Sequence, residues 1–143
     1  MRILTLPALL LGLVCAAQAQ SSGANPLAAA RVFNPDDATP TTAPNGALGR
    51  SVFNGTLATG EAVAVHETEQ PAGTAPNPPH RIQHSELIVV QQGTLEFQHD
   101  GKTERAAAGS IIYVAYGTLH ALKNVGDCPA KYIVIQIGGD TKK

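Results

Sequence analysis

The sequence predicts an all-β fold, a single sandwich or barrel of short antiparallel strands, from three observations. Past Arg50 the chain is a succession of apolar runs five to eight residues long, split by Gly, Pro or Asp-Gly. The runs are rich in β-branched and aromatic side chains, which fit a pleated, half-buried surface. No eleven-residue window carries a convincing 3.6-residue apolar period, so little helix is expected.

The expected strands follow in order. "SVFNGTLA" and "AVAVHETE" come first, separated by a Gly-containing turn, and "ELIVVQQ" and "TLEFQH" follow across Gly93. "FQHDGKTE" places Asp100-Gly101 between two strand-like runs, a hairpin signal because both residues tolerate positive φ. "SIIYVAY", "HALKN" and "AKYIVIQI" complete the set. Many short strands at close spacing belong to sandwiches and barrels, and no internal repeat is present.

Two segments precede this region. Residues 1–19 carry basic Arg2, an apolar run from Ile3 to Val14 and small residues ending in "AQA". That is the layout of a cleaved secretory leader, and the run falls short of the ~20 residues that span a bilayer. Cys15 follows Val14, where a lipoprotein signal would want a small residue. An exported protein, periplasmic or secreted, with no membrane association after cleavage is therefore expected. Residues 20–50, rich in Pro, Ala and Thr, read as a linker or N-terminal arm, and residues 51–143 as the folded domain.

Charge narrows the partners. The full chain has net charge −1; without Arg2 it carries 9 − 11 = −2. The basic residues are scattered and no aromatic-rich basic face accompanies them, which excludes nucleic acid. A small-molecule ligand or substrate remains, with a homodimer through the arm as the macromolecular partner to test. After leader removal only Cys128 is left, in the turn-like "GDCPA", so no intramolecular disulfide forms.

The polar residues suited to chemistry cluster in "HRIQHSE". In one extended strand His80, Ile82, His84 and Glu86 would share a face. Imidazole and carboxylate donors converging from a rigid sheet suit a divalent first-row metal, but donors in one row cannot surround an ion. A further ligand has to come from another strand, and His120 in "GTLHALKN" is the candidate. The alternative is a solvated strand carrying three polar residues. His66 could line the interior or be a packed structural histidine; His99, just before Asp100-Gly101, reads as an exposed turn residue.

Two stretches, "GTAPNPPHRIQHSELIVVQQG" and "GSIIYVAYGTLHALKN", resemble the two signature motifs of the cupin superfamily. His80 matches the first motif's first histidine, and Glu86 and Gly93 its last two positions; Gly73 lies one residue too far from His80. The second motif is matched by Gly109, Gly117, His120 and Asn124, with Ala115 in place of proline, and 15 residues separate the two. The resemblance implies a small, single-domain jelly-roll β-barrel, with a divalent metal (Fe, Mn, Ni or Zn) in its mouth. It also implies oxygenation, isomerisation or decarboxylation of a small organic acid, sugar or phenolic if the protein is an enzyme. A non-catalytic ligand- or metal-binding module is the alternative.

Ile82 stands where the motif has its second histidine, and isoleucine cannot donate to a metal. Three outcomes follow. His80, Glu86 and His120 remain as an open two-histidine, one-carboxylate set; or His84 swings inward at a bulge to fill the vacancy; or Ile82 plugs the site. The expected ligands are thus His80, His84, Glu86 and His120, with Ile82, Tyr113, Tyr116 and His66 around the ligand pocket.

Overall fold

The computed structural model describes residues 23–141, so the leader-like residues 1–19 lie outside the described part. Among the described residues ten strands form two antiparallel sheets: β1 (Thr41–Thr42), β2 (Leu48–Thr56), β3 (Ala62–Gln70), β4 (His80–Arg81), β5 (Ser85–Gln92), β6 (Thr94–His99), β7 (Lys102–Ala107), β8 (Ile111–Val114), β9 (Leu119–Asn124) and β10 (Ala130–Ile137). The larger sheet has the order β1-β2-β3-β10-β5-β8 and the smaller β4-β9-β6-β7. The arm contributes β1 and one 3-10 turn, Pro35–Asp37, capped by the Asn34 side chain. Phe33 of the arm stacks on Phe53 of β2 with ring centroids 4.2 Å apart.

Period-two alternation explains how the sheets close on one core. Along β5, Glu86, Ile88 and Val90 are buried while Ser85, Leu87 and Val89 are only partly covered. Leu95 and Phe97 of β6 face them from the smaller sheet, while Tyr132 and Val134 of β10 lie beside them in the larger. Ile82, in the crossing between sheets, packs into this cluster at 5% exposure. Asp100 and Gly101 take φ of 46° and 75°, both left-handed, and close the β6–β7 hairpin with His99 opposite Lys102.

The "HRIQHSE" segment departs from the single strand the sequence suggested. His80 and Arg81 pair with β9 in the smaller sheet, whereas Ser85 and Glu86 pair with β8 and β10 in the larger. The chain crosses between sheets at residues 82–84, which lie in no strand. With its only ladder partners on different sheets, the segment cannot stay straight. The side chains of Ile82, His84 and Glu86 nonetheless all turn inward, and His80 remains exposed.

Candidate metal centre

Cross-strand register places the carboxylate. Glu86 lies opposite Gln136 on one side and Val114 on the other, so all three share the inner face. Gln136 Nε2 donates to Glu86 Oε1 at 3.1 Å. His84 Nε2 stands 2.9 Å from the same oxygen, and its Nδ1 stands 2.6 Å from Asp140 Oδ1. Carboxylates only accept, so both ring nitrogens of His84 carry protons. Burial alone would lower its pKa, yet hydrogen bonds to Asp140 and Glu86 and their charges outweigh that and hold it above the usual histidine range.

His120 arrives from the opposite sheet. Its Nδ1 faces the Thr118 carbonyl at 3.3 Å, which also only accepts, so Nδ1 holds the proton. Burial lowers the His120 pKa and the neighbouring His80 reinforces that, so the ring is neutral near pH 7 and Nε2 carries a bare lone pair. That lone pair faces Glu86 Oε2 across 3.8 Å. Two acceptors therefore confront each other over a gap too long for a hydrogen bond. A cation between them would satisfy both, since metal–nitrogen and metal–oxygen bonds of ~2.0–2.2 Å span such a gap.

The remaining expected residues take varied places. His80 is exposed, its ring 4.6 Å from that of His120, with Nδ1 directed at the Pro78 carbonyl. His66, half-buried on the inner face of β3, has its pKa lowered by burial. Ile82 is buried in apolar contacts and contributes no donor. Tyr113 does not line the interior: it alternates with buried Ile112 and Val114, so it points outward and is 62% exposed. Tyr116 is equally exposed and donates its hydroxyl to Gln83 Oε1 at 2.6 Å.

Two openings reach the centre. A cavity of about 360 Å³ is lined by Ser51, Asn54, His66, His84, Gln136 and Asp140 among others. A groove of about 490 Å³, bounded by Arg81, His99, Lys102 and Leu119, touches His120. Among the described residues, no three or more His, Cys, Asp or Glu side chains are arranged, as they stand, to hold a metal ion. His84 Nε2 shares its proton with Glu86 Oε1, so His84 would have to release that proton before it could hold a metal. The donor types suit a divalent metal: the Nε2 atoms of His84 and His120 each face an oxygen of the Glu86 carboxylate, at 2.9 Å and 3.8 Å, and Asp140 stands behind His84 Nδ1.

Comparison with known proteins identifies the family. The Cupin_2 cupin domain model matches residues 65–136, half of the sequence. The chain belongs to the cupins. No curated protein sequence is significantly similar to it. Among solved structures, this cupin is similar to a predicted oxalate decarboxylase from Thermotoga maritima, at 15% identity and TM-score 0.61 over 75% of this chain and 98% of that one. It is also similar to the polyketide cyclase RemF from Streptomyces resistomycificus, at 13% identity and TM-score 0.61 over 80% and 88%. A third likeness is a RmlC-like cupin with a double-stranded β-helix fold from Methanocaldococcus jannaschii, at 15%, 0.58, 77% and 92%. Likeness at these identities shows the fold.

The cupin motif positions now have physical roles. Asn124 Nδ2 donates to the carbonyls of Gln70 and Cys128 while its Oδ1 accepts from Gly126, tying the β9–β10 loop to β3. Gly117 takes a φ of 79°, and its N–H donates to Ile82 O, fastening the crossing segment. Sequence reasoning missed Asp140 altogether. It sits 56 residues from His84, and the adjacent Gly138-Gly139 pair signals a turn without showing where the turn leads. His99 departs from the exposed turn position expected from its place before Asp100-Gly101. Its side chain is only 19% exposed, beside His120 in the sheet register and held by Glu104 at 3.0 Å.

Proposed function

We propose that this cupin binds one divalent first-row metal ion through His84, Glu86 and His120, and uses it on a small hydroxylated or carbonyl compound outside the cytoplasm. The observation that carries this reading is His120, with Nδ1 on the Thr118 carbonyl, directing Nε2 at a Glu86 carboxylate oxygen across 3.8 Å. Such a two-histidine, one-carboxylate set leaves coordination positions open, and an ion held there supplies Lewis acidity or dioxygen activation. The chain's own groups do the rest. Gln136 holds the carboxylate by its Oε1, Asp140 holds His84, and Ser51, Asn54 and His66 present hydrogen-bonding groups to the 360 Å³ cavity. No lysine or arginine lines that cavity among the described residues, which favours sugars and phenolics over polyanions. The leader-like composition of residues 1–19 supports export.

The experiment is a Co(II) or Zn(II) titration of the chain lacking residues 1–19, at several pH values. One ion per chain is expected. Affinity should fall about tenfold per pH unit below the His84 pKa, because the metal displaces one Nε2 proton. That pKa lies above the ordinary 6.5, so weakening should already show at pH 6.5. A second reading rests on the same His84: doubly protonated between two carboxylates, it already neutralises Glu86 without a metal. That reading makes the protein a metal-free binding module. Absence of stoichiometric binding at pH 8 would select it.

A further inference from the structure

His84 fills the role vacated at position 82 only if its ring is fixed with Nε2 toward Glu86. No strand fixes it, because residues 82–84 lie in the crossing between sheets. We infer that the C-terminal strap Gly138-Gly139-Asp140 is what converts His84 into the replacement for the missing motif histidine, with Asp140 as its positioning residue. The inference rests on the metal reading above.

The strap is built for that approach. Gly138 and Gly139 have φ of 70° and 56°, turning the chain back where β10 ends. Gly138 N–H donates to Ala62 O at 2.8 Å, and Asp140 N–H to Gln83 O at 3.1 Å. A Cβ at Gly139 would lie 1.7 Å from Gln83 O and 3.0 Å from His84 Cα, so only glycine lets the strap lie on this segment. The carboxylate it delivers meets His84 Nδ1 at 2.6 Å. A carboxylate on Nδ1 fixes the ring orientation and raises the basicity of Nε2, the arrangement found behind metal-bound histidines. Asp140 is itself largely exposed, with 57% of its side chain accessible, so packing does not explain its placement.

The test is Co(II) affinity in wild type, Asp140→Ala, Asp140→Glu, Ile82→His and the Ile82→His/Asp140→Ala pair, with urea unfolding of each metal-free variant as the control for folding. Asp140→Ala should weaken binding about 10–100-fold while leaving the urea midpoint close to wild type, and Asp140→Glu should recover part of the loss. In the Ile82→His background the same Asp140→Ala change should cost under about threefold, because a second histidine no longer depends on the strap. A wild type that binds Co(II) with an unchanged Asp140→Ala variant overturns the strap's role and leaves the metal reading intact. A wild type that binds no Co(II) overturns both. Should Ile82→His fail to fold, the Asp140→Ala loss and Asp140→Glu recovery decide alone.

Discussion

Glu86→Gln is expected to lower affinity for a divalent cation by more than about 100-fold, beyond the 10–100-fold that losing an outer hydrogen-bond partner costs. Glu86 is the one carboxylate that both imidazole Nε2 atoms face, at 2.9 Å and 3.8 Å. A glutamine keeps the shape and an oxygen for the Gln136 amide but has no charge to neutralise the ion. The fold should lose about 1.5–3 kcal/mol, the worth of a hydrogen bond to a charged group. Calorimetric titration of wild type and variant, with urea unfolding of each, separates the two effects. Equal affinities would place the metal elsewhere.

Gly93→Ala should be the most destabilising of the glycine substitutions in the two motifs. Gly93 takes a φ of 78°, and a Cβ there would sit 2.8 Å from Ala130 Cα, a backbone atom of β10. Gly109 has a similar φ of 88° but nothing within 4 Å of an added Cβ. The conformational cost alone is about 1–2 kcal/mol, which is what Gly109→Ala should show. Gly93→Ala adds the clash, for a total of about 3 kcal/mol or more. That is a large part of the ~5–15 kcal/mol by which a domain is stable. Urea unfolding of both variants checks the contrast, and equal losses would mean that close packing of β10 on Gly93 contributes nothing.

The fold was legible because short β-branched runs and an Asp-Gly pair specify strands and a hairpin locally. Seven expected runs each correspond to an observed strand, from β2 through β10. The strand over Lys102–Ala107 was harder to read, since "KTERAA" presents only Ala106 as a buried apolar side chain. β1 and β4 span two residues each, too few for any alternation to show.

The candidate site was legible as a set of residue types and not as an arrangement. Ile82, His84 and Glu86 are all buried, in keeping with the alternation along "HRIQHSE", although only Glu86 lies in a strand. Alternation could not show that His80 leaves with the other sheet, which depends on pairing with β9. Nor could it show that His84 is held by Asp140, a contact made by a turn after the last strand. Tyr113 was misplaced for want of register: the run "SIIYVAY" does not reveal which parity faces the core. Its partner Leu87 lies on the outer face of β5.

The most direct measurement is anomalous diffraction at the metal absorption edge from crystals grown with Co(II) or Zn(II) above pH 7.5. One peak is expected, about 2.0–2.2 Å from Nε2 of His84, Nε2 of His120 and a Glu86 carboxylate oxygen. A peak bound through His80 without His84, or an intact His84–Glu86 hydrogen bond with no peak beside it, would contradict the proposed metal centre.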